Sequence, residues 1–115
     1  MTSKVQLRVR IYHDDTIAIG PGKVALLEAI AETGSISAAA RQIGMSYRRA
    51  WVLVDEMNQC LRSPAVSTAT GGARGGGAVV TPLGKDLAKH YRSLESIATL
   101  AAATELKALK RLLAA

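Results

Sequence analysis

Tyr47, Arg48 and Arg49 follow Ser46 and precede a run in which Ala50, Leu53, Val54, Met57 and Leu61 recur at three- and four-residue steps. That spacing predicts a helix with one apolar face, and none of the three side chains lies on it. Ser46 suits the N-cap of such a helix. Two guanidiniums in its first turn oppose the macrodipole and cost a little stability there. The chemistry that suits them is forked hydrogen bonding to base edges or to phosphate. Trp51, one turn after Tyr47, has two readings: it touches a nucleic-acid backbone, or it packs into the core. Upstream, Ser35 can cap a short helix running through Ala38, Ala39 and Ala40 to Gln42, and Gly44 stands where a left-handed residue would end it. A short helix, a tight turn and a second helix opening on Ser-Tyr-Arg-Arg form a helix-turn-helix pattern, whose second helix fits the DNA major groove. On this reading Tyr47, Arg48 and Arg49 read bases, while Ser35 and Ser46 help hold phosphates at helix N-termini. An ordinary helical hairpin with a solvated arginine pair stays open at this point.

Other chemistries are poorly served. His13 stands beside Asp14 and Asp15, but without a second histidine or a cysteine nearby the stretch reads as a solvated turn rather than a metal site. Cys60 and His90 offer a thiol and an imidazole with no third orienting group and no oxyanion loop. Gly20-Pro21-Gly22-Lys23-Val24 has the wrong spacing for a phosphate-binding Walker loop, and Val24 stands where Ser or Thr should follow the lysine. The expectation is a protein with no catalytic residues, no metal and no cofactor.

The elements that must position the arginines can be read in order. The chain has 115 residues, 49% of them hydrophobic, which suits one domain with a modest core. The net charge of +6 favours a polyanionic partner. A single cysteine excludes an internal disulfide framework and fits a reducing cytoplasm. No segment approaches the roughly 18 unbroken apolar residues of a membrane span, and the N-terminus alternates rather than forming a signal-peptide core. A cytoplasmic protein without membrane contact is therefore expected. Val5, Leu7, Val9 and Ile11 alternate with Gln6, Arg8 and Arg10 and predict a strand, returning through Ile17-Ala18-Ile19 after a turn, so that 4–19 makes a hairpin. A first helix opens at Pro21 and ends at Thr33-Gly34. The helix-turn-helix occupies 35–62. Strands at Ala65–Thr70 and Ala78–Thr81 flank the glycine-rich Gly71–Gly77, which carries Arg74, and make a wing over 65–81. Arg74 there can reach phosphates or a minor groove, whereas a floppy turn is the bland alternative. From Thr81 and Pro82 onward no proline, and after Gly84 no glycine, interrupts a final helix over 82–115. Gly84 should weaken it slightly. Leu87, Tyr91, Leu94 and Ile97 follow a coiled-coil-like seam, which Leu109 resumes after a phase shift past Ala101. A stripe that a domain of this size cannot cover by itself is expected to pair with a second copy. The predicted class is mainly α with a small β-wing: a winged helix-turn-helix over 1–81 and a long dimerisation helix over 82–115.

The run Gly34-Ser35-Ile36-Ser37-Ala38-Ala39-Ala40, then Gly44-Met45-Ser46-Tyr47-Arg48-Arg49-Ala50-Trp51 and Asp55-Glu56-Met57-Asn58, resembles the N-terminal DNA-binding domain of the ModE family of molybdate-responsive transcription regulators. The glycine-rich wing and Thr81-Pro82-Leu83-Gly84 are similar to the same family, and the helix-turn-helix resembles, more loosely, that of the LysR regulators. The likeness covers roughly Gly20 to Leu94. It implies a winged-helix homodimer that binds double-stranded DNA at a palindromic operator. Full-length members carry C-terminal molybdate-binding domains, and this chain stops where those would begin, so DNA binding carries over and molybdate sensing is not expected. The competing expectation is an interaction module whose wing and long helix bind a separately encoded molybdate-binding subunit.

Overall fold

The computed structural model describes residues 3–69 and 77–115. Helix α1 (Pro21–Thr33) starts on Pro21, whose missing N–H has no intrahelical partner to lose. It stops at Gly34, whose φ of 72° is cheap only for glycine and whose N–H closes on the Ile30 carbonyl at 2.7 Å. Helix α2 (Ile36–Gln42) and helix α3 (Tyr47–Cys60) follow with the expected serine caps: the Ser35 hydroxyl accepts from the Ala38 N–H, and that of Ser46 from the Arg49 N–H, each at 3.1 Å. The turn between them is a Schellman motif. Gly44, at φ 72°, donates to the Arg41 carbonyl at 3.3 Å, and Met45 donates to that of Ala40 at 2.8 Å.

The core lies among these three helices. Leu26, Leu27 and Ile30 of α1, Ala39 and Ala40 of α2, and Ala50, Val54 and Met57 of α3 are fully buried or nearly so. Alanines at the contacts let the helices approach closely, which is how a chain without phenylalanine still fills a core. A two-stranded wing closes one side, with Val66–Ala69 paired to Gly77–Val80 in antiparallel register, Val66 opposite Val80 and Ala69 opposite Gly77. Numbered in chain order, the strands are β1 (Ile11–His13), β2 (Thr16–Ile19), β3 (Val66–Ala69) and β4 (Gly77–Val80). The whole is a winged helix-turn-helix, as the pattern predicts.

Two expectations need correction. The alternation predicts an N-terminal strand through Val5 and Val9, but residues 3–10 carry no ladder, and β1 comprises only three residues. The partner strand explains this, because β2 is four residues long and a register shift lies between Ile11 and Tyr12. The segment upstream is held by a side chain instead: the Tyr91 hydroxyl donates to the Val9 carbonyl at 2.9 Å. The terminal helix also divides. Helix α4 (Pro82–Ala101) and helix α5 (Ala103–Lys110) meet at Ala102, whose φ of −92° and ψ of 2° leave the helical region. The break falls where the apolar pattern changes phase, in a stretch that packs on no core.

Gly84 has a different role from the expected mild weakening of α4. A Cβ there would run into the carbonyl oxygen of Ala65 and come within 2.8 Å of Val80 Cγ1. The first turn of α4 therefore passes directly against the start of the wing, and glycine makes that approach possible.

Candidate nucleic-acid interface

The first turn of α3 is an exposed platform on a fixed base. Ala50, Leu53, Val54 and Met57 bury its inner face, so the outer face is set by helical geometry. Tyr47 (55% exposed), Arg48 and Arg49 all point outward. Trp51 lies outside the core, and its ring meets that of Tyr47 edge-on, with centroids 6.2 Å apart and planes at 79°. That is a favourable aromatic geometry, and it steadies both rings on the surface. Among the described residues, neither Arg48 nor Arg49 forms an ion pair with a carboxylate. No side-chain hydrogen bond from either guanidinium to another described residue occurs, so among these residues their donors are uncommitted. Ser35 and Ser46 spend their hydroxyl oxygens as caps, which leaves each O–H proton available.

Side chains to which the sequence assigns no part in DNA binding hold the platform in place. Lys23, buried inside the first turn of α1, pairs with Glu56 of α3 at 3.1 Å and donates to the carbonyl of Ile17 in β2. One ammonium thus ties three elements together at the base of the recognition turn. Asn58, near the end of α3, accepts from the Ala65 and Val66 N–H groups at 2.8 and 3.3 Å and donates to the Val66 carbonyl at 3.0 Å. Thr81 grips the same strand start from the other side: its N–H donates to the Ala65 carbonyl at 2.9 Å and its hydroxyl to that of Pro64 at 2.7 Å. The wing is also anchored to the α1–α2 junction, through the Ala78 N–H to the Gly34 carbonyl at 3.0 Å. Arg74 and the stretch from Thr70 to Gly76 lie outside the described residues.

The residues expected on the dimerisation seam divide into two groups. Leu87 is half-buried against the domain's own core, and Tyr91, at 3% exposure, is buried with its hydroxyl on Val9. These two are packed within one chain: the helix starts inside the domain and leaves it only beyond Tyr91. Leu94, Ile97 and Leu109 stay exposed, as do Leu100, Leu112 and Leu113, and α5 has no buried residue. Where α4 leaves the core, Arg92 grips Glu28 of α1 with two hydrogen bonds, 2.6 and 3.0 Å, and Glu95 with a third at 2.7 Å. The bonds to Glu28 first, then to Glu95, push the Arg92 pKa above its ordinary value.

Cys60 is half-buried and free, His13 is the exposed last residue of β1, and no cluster of metal-binding side chains occurs among the described residues. Among the described residues, no helix is long and apolar enough to cross a membrane.

Residues 22–85 match the family described as bacterial regulatory helix-turn-helix protein, lysR family. The molybdenum-pterin-binding protein MopB of Rhodobacter capsulatus is 53% identical over 78 residues, covering 68% of this chain and 29% of that protein. The DNA-binding transcriptional dual regulator ModE of Escherichia coli K12 is 46% identical over 77 residues, 67% of this chain and 29% of that one. The molybdenum transport protein ModE of Azotobacter vinelandii is 38% identical over 88 residues, 76% and 33% respectively. The chain therefore spans about a third or less of the length of these relatives.

Proposed function

Because the chain belongs to the LysR family of bacterial regulatory helix-turn-helix proteins, we propose that it regulates transcription by reading duplex DNA through the first turn of α3. The observation that carries this reading is the exposed Tyr47-Arg48-Arg49 turn, free of ion pairs among the described residues, on a helix whose inner face is buried in the core. Arg48 and Arg49 contact base edges, Tyr47 and Trp51 lie along the groove wall, and the Ser35 and Ser46 hydroxyls donate to phosphates. Arg74, in the glycine-rich stretch, reaches the backbone or the minor groove. Residues 1–81 form the DNA-binding unit and 82–115 the dimerisation unit. Two copies pair through the apolar residues of α4 and α5 beyond Tyr91, so that the operator is palindromic. The protein acts in the cytoplasm, has no catalytic role, and needs no cofactor to bind DNA.

Relatives whose names carry molybdenum raise the question of an oxyanion site. Molybdate needs several N–H or hydroxyl donors converging in a water-poor pocket. Among the described residues, no buried side-chain nitrogen or oxygen lacks a partner, which gives such an anion no waiting side-chain donor there. Our reading is DNA binding, and not molybdate binding, by this chain. The competing reading places a separate molybdate-binding protein on the exposed stripe of α4 and α5, and it is favoured by the same unpaired leucines. Titration of labelled duplexes against salt separates the two. Steep salt dependence with sequence preference supports the DNA reading, and salt-insensitive binding to a protein partner supports the other.

A further inference from the structure

Beside the recognition turn, the hairpin β1–β2 builds a second cationic surface. Arg10, Tyr12 and Arg49 line one open cleft together with Asp15, Lys23 and Glu56. Lys23 and Glu56 neutralise each other at 3.1 Å, which leaves two guanidiniums facing one carboxylate. Neither Arg10 nor Arg49 forms an ion pair among the described residues. Arg10 is exposed, and its stem passes over Gly20: its Cγ lies 3.6 Å from where a Cβ on Gly20 would stand. The residue before it is fixed by the Tyr91 hydroxyl on the Val9 carbonyl. Tyr12 is 58% exposed, and β2 packs against α3, so this surface continues directly from the base-reading turn. An uncommitted arginine on a fixed path beside an exposed phenol matches the charge and donor geometry of a backbone phosphate. Both residues lie before the span of the family match, which begins at residue 22.

We propose that Arg10, supported by Tyr12, contacts the phosphate backbone of the duplex that α3 reads, which makes the N-terminal hairpin part of the DNA interface. This contact rests on the reading of α3 as the recognition helix. Fluorescence anisotropy of the full chain on a selected duplex and on a random-sequence duplex, from about 0.05 to 1 M salt, tests it. Arg10→Met keeps the stem on Gly20 and removes the charge; Arg10→Lys keeps the charge. Arg10→Met should lower the salt slope by about 1 and weaken both duplexes by about eightfold at 0.1 M salt, leaving their ratio unchanged. Arg10→Lys should restore the slope. The contact is overturned if Arg10→Met matches wild type while Arg49→Ala weakens the selected duplex. It is also overturned if Arg10→Lys is as weak as Arg10→Met, because the loss would then lie in packing. A wild-type chain that binds neither duplex removes the recognition-helix reading and this contact together.

Discussion

At the scale of the residue, the division between legible and hidden follows sequence distance. The caps Ser35, Ser46 and Thr81 and the left-handed Gly34 and Gly44 act on backbone groups a few positions away, so the sequence exposes them. The outward placement of Tyr47, Arg48 and Arg49 follows from a single helical period. Asn58 and Lys23 were not legible, because what they bond depends on where β3 and α3 pack, and neither residue breaks a local pattern. Each class carries a prediction. Arg48→Ala and Arg49→Ala should each weaken operator binding by about 1–3 kcal/mol where the lost contact is bidentate to a base. Their melting temperatures should barely move, since exposed substitutions change stability by roughly 0.5 kcal/mol or less. Asn58→Ala should behave in the opposite way. It strands the Ala65 and Val66 amide groups at the wing's root and should destabilise the fold by about 1–3 kcal/mol, as read by denaturant unfolding.

At the scale of the element, the three helices and the wing strands were legible because each buries one face with a regular period. The short β1 and the division at Ala102 were not. Alternation in Val5–Ile11 states only that a strand is possible, and the four-residue β2 limits what can pair. Helix propensity around Ala102 is high, but without packing nothing holds the segment straight. Gly84 is the clearest reversal. Propensity alone says that Gly84→Ala should stabilise α4 by about 1 kcal/mol. The crowding by the Ala65 carbonyl and Val80 predicts instead a loss of about 1–3 kcal/mol, visible as a lower melting temperature. A gain on that substitution would mean that α4 does not pass so close to the wing.

At the scale of the whole molecule, a compact head carries helices that leave it. The longest dimension is 57 Å against 30 and 23 Å, and the outer part of α4 and all of α5 present leucines to solvent. Pairing with a second copy would cover them, and Ile97→Asp with Leu109→Asp should then convert a dimer into a folded monomer in light scattering. A wild-type monomer at micromolar concentration would contradict that pairing. Calorimetric titration with molybdate should give no heat from this chain. The most direct measurement is selection of bound duplexes from a random pool at about physiological salt, run in parallel with wild type and the Arg48→Ala, Arg49→Ala double variant. Wild type should enrich a two-fold symmetric sequence with half-sites one or more helical turns apart, and the double variant should lose that enrichment while still binding DNA weakly. Enrichment of no sequence by wild type, or of the same sequence by the double variant, would contradict recognition through the first turn of α3.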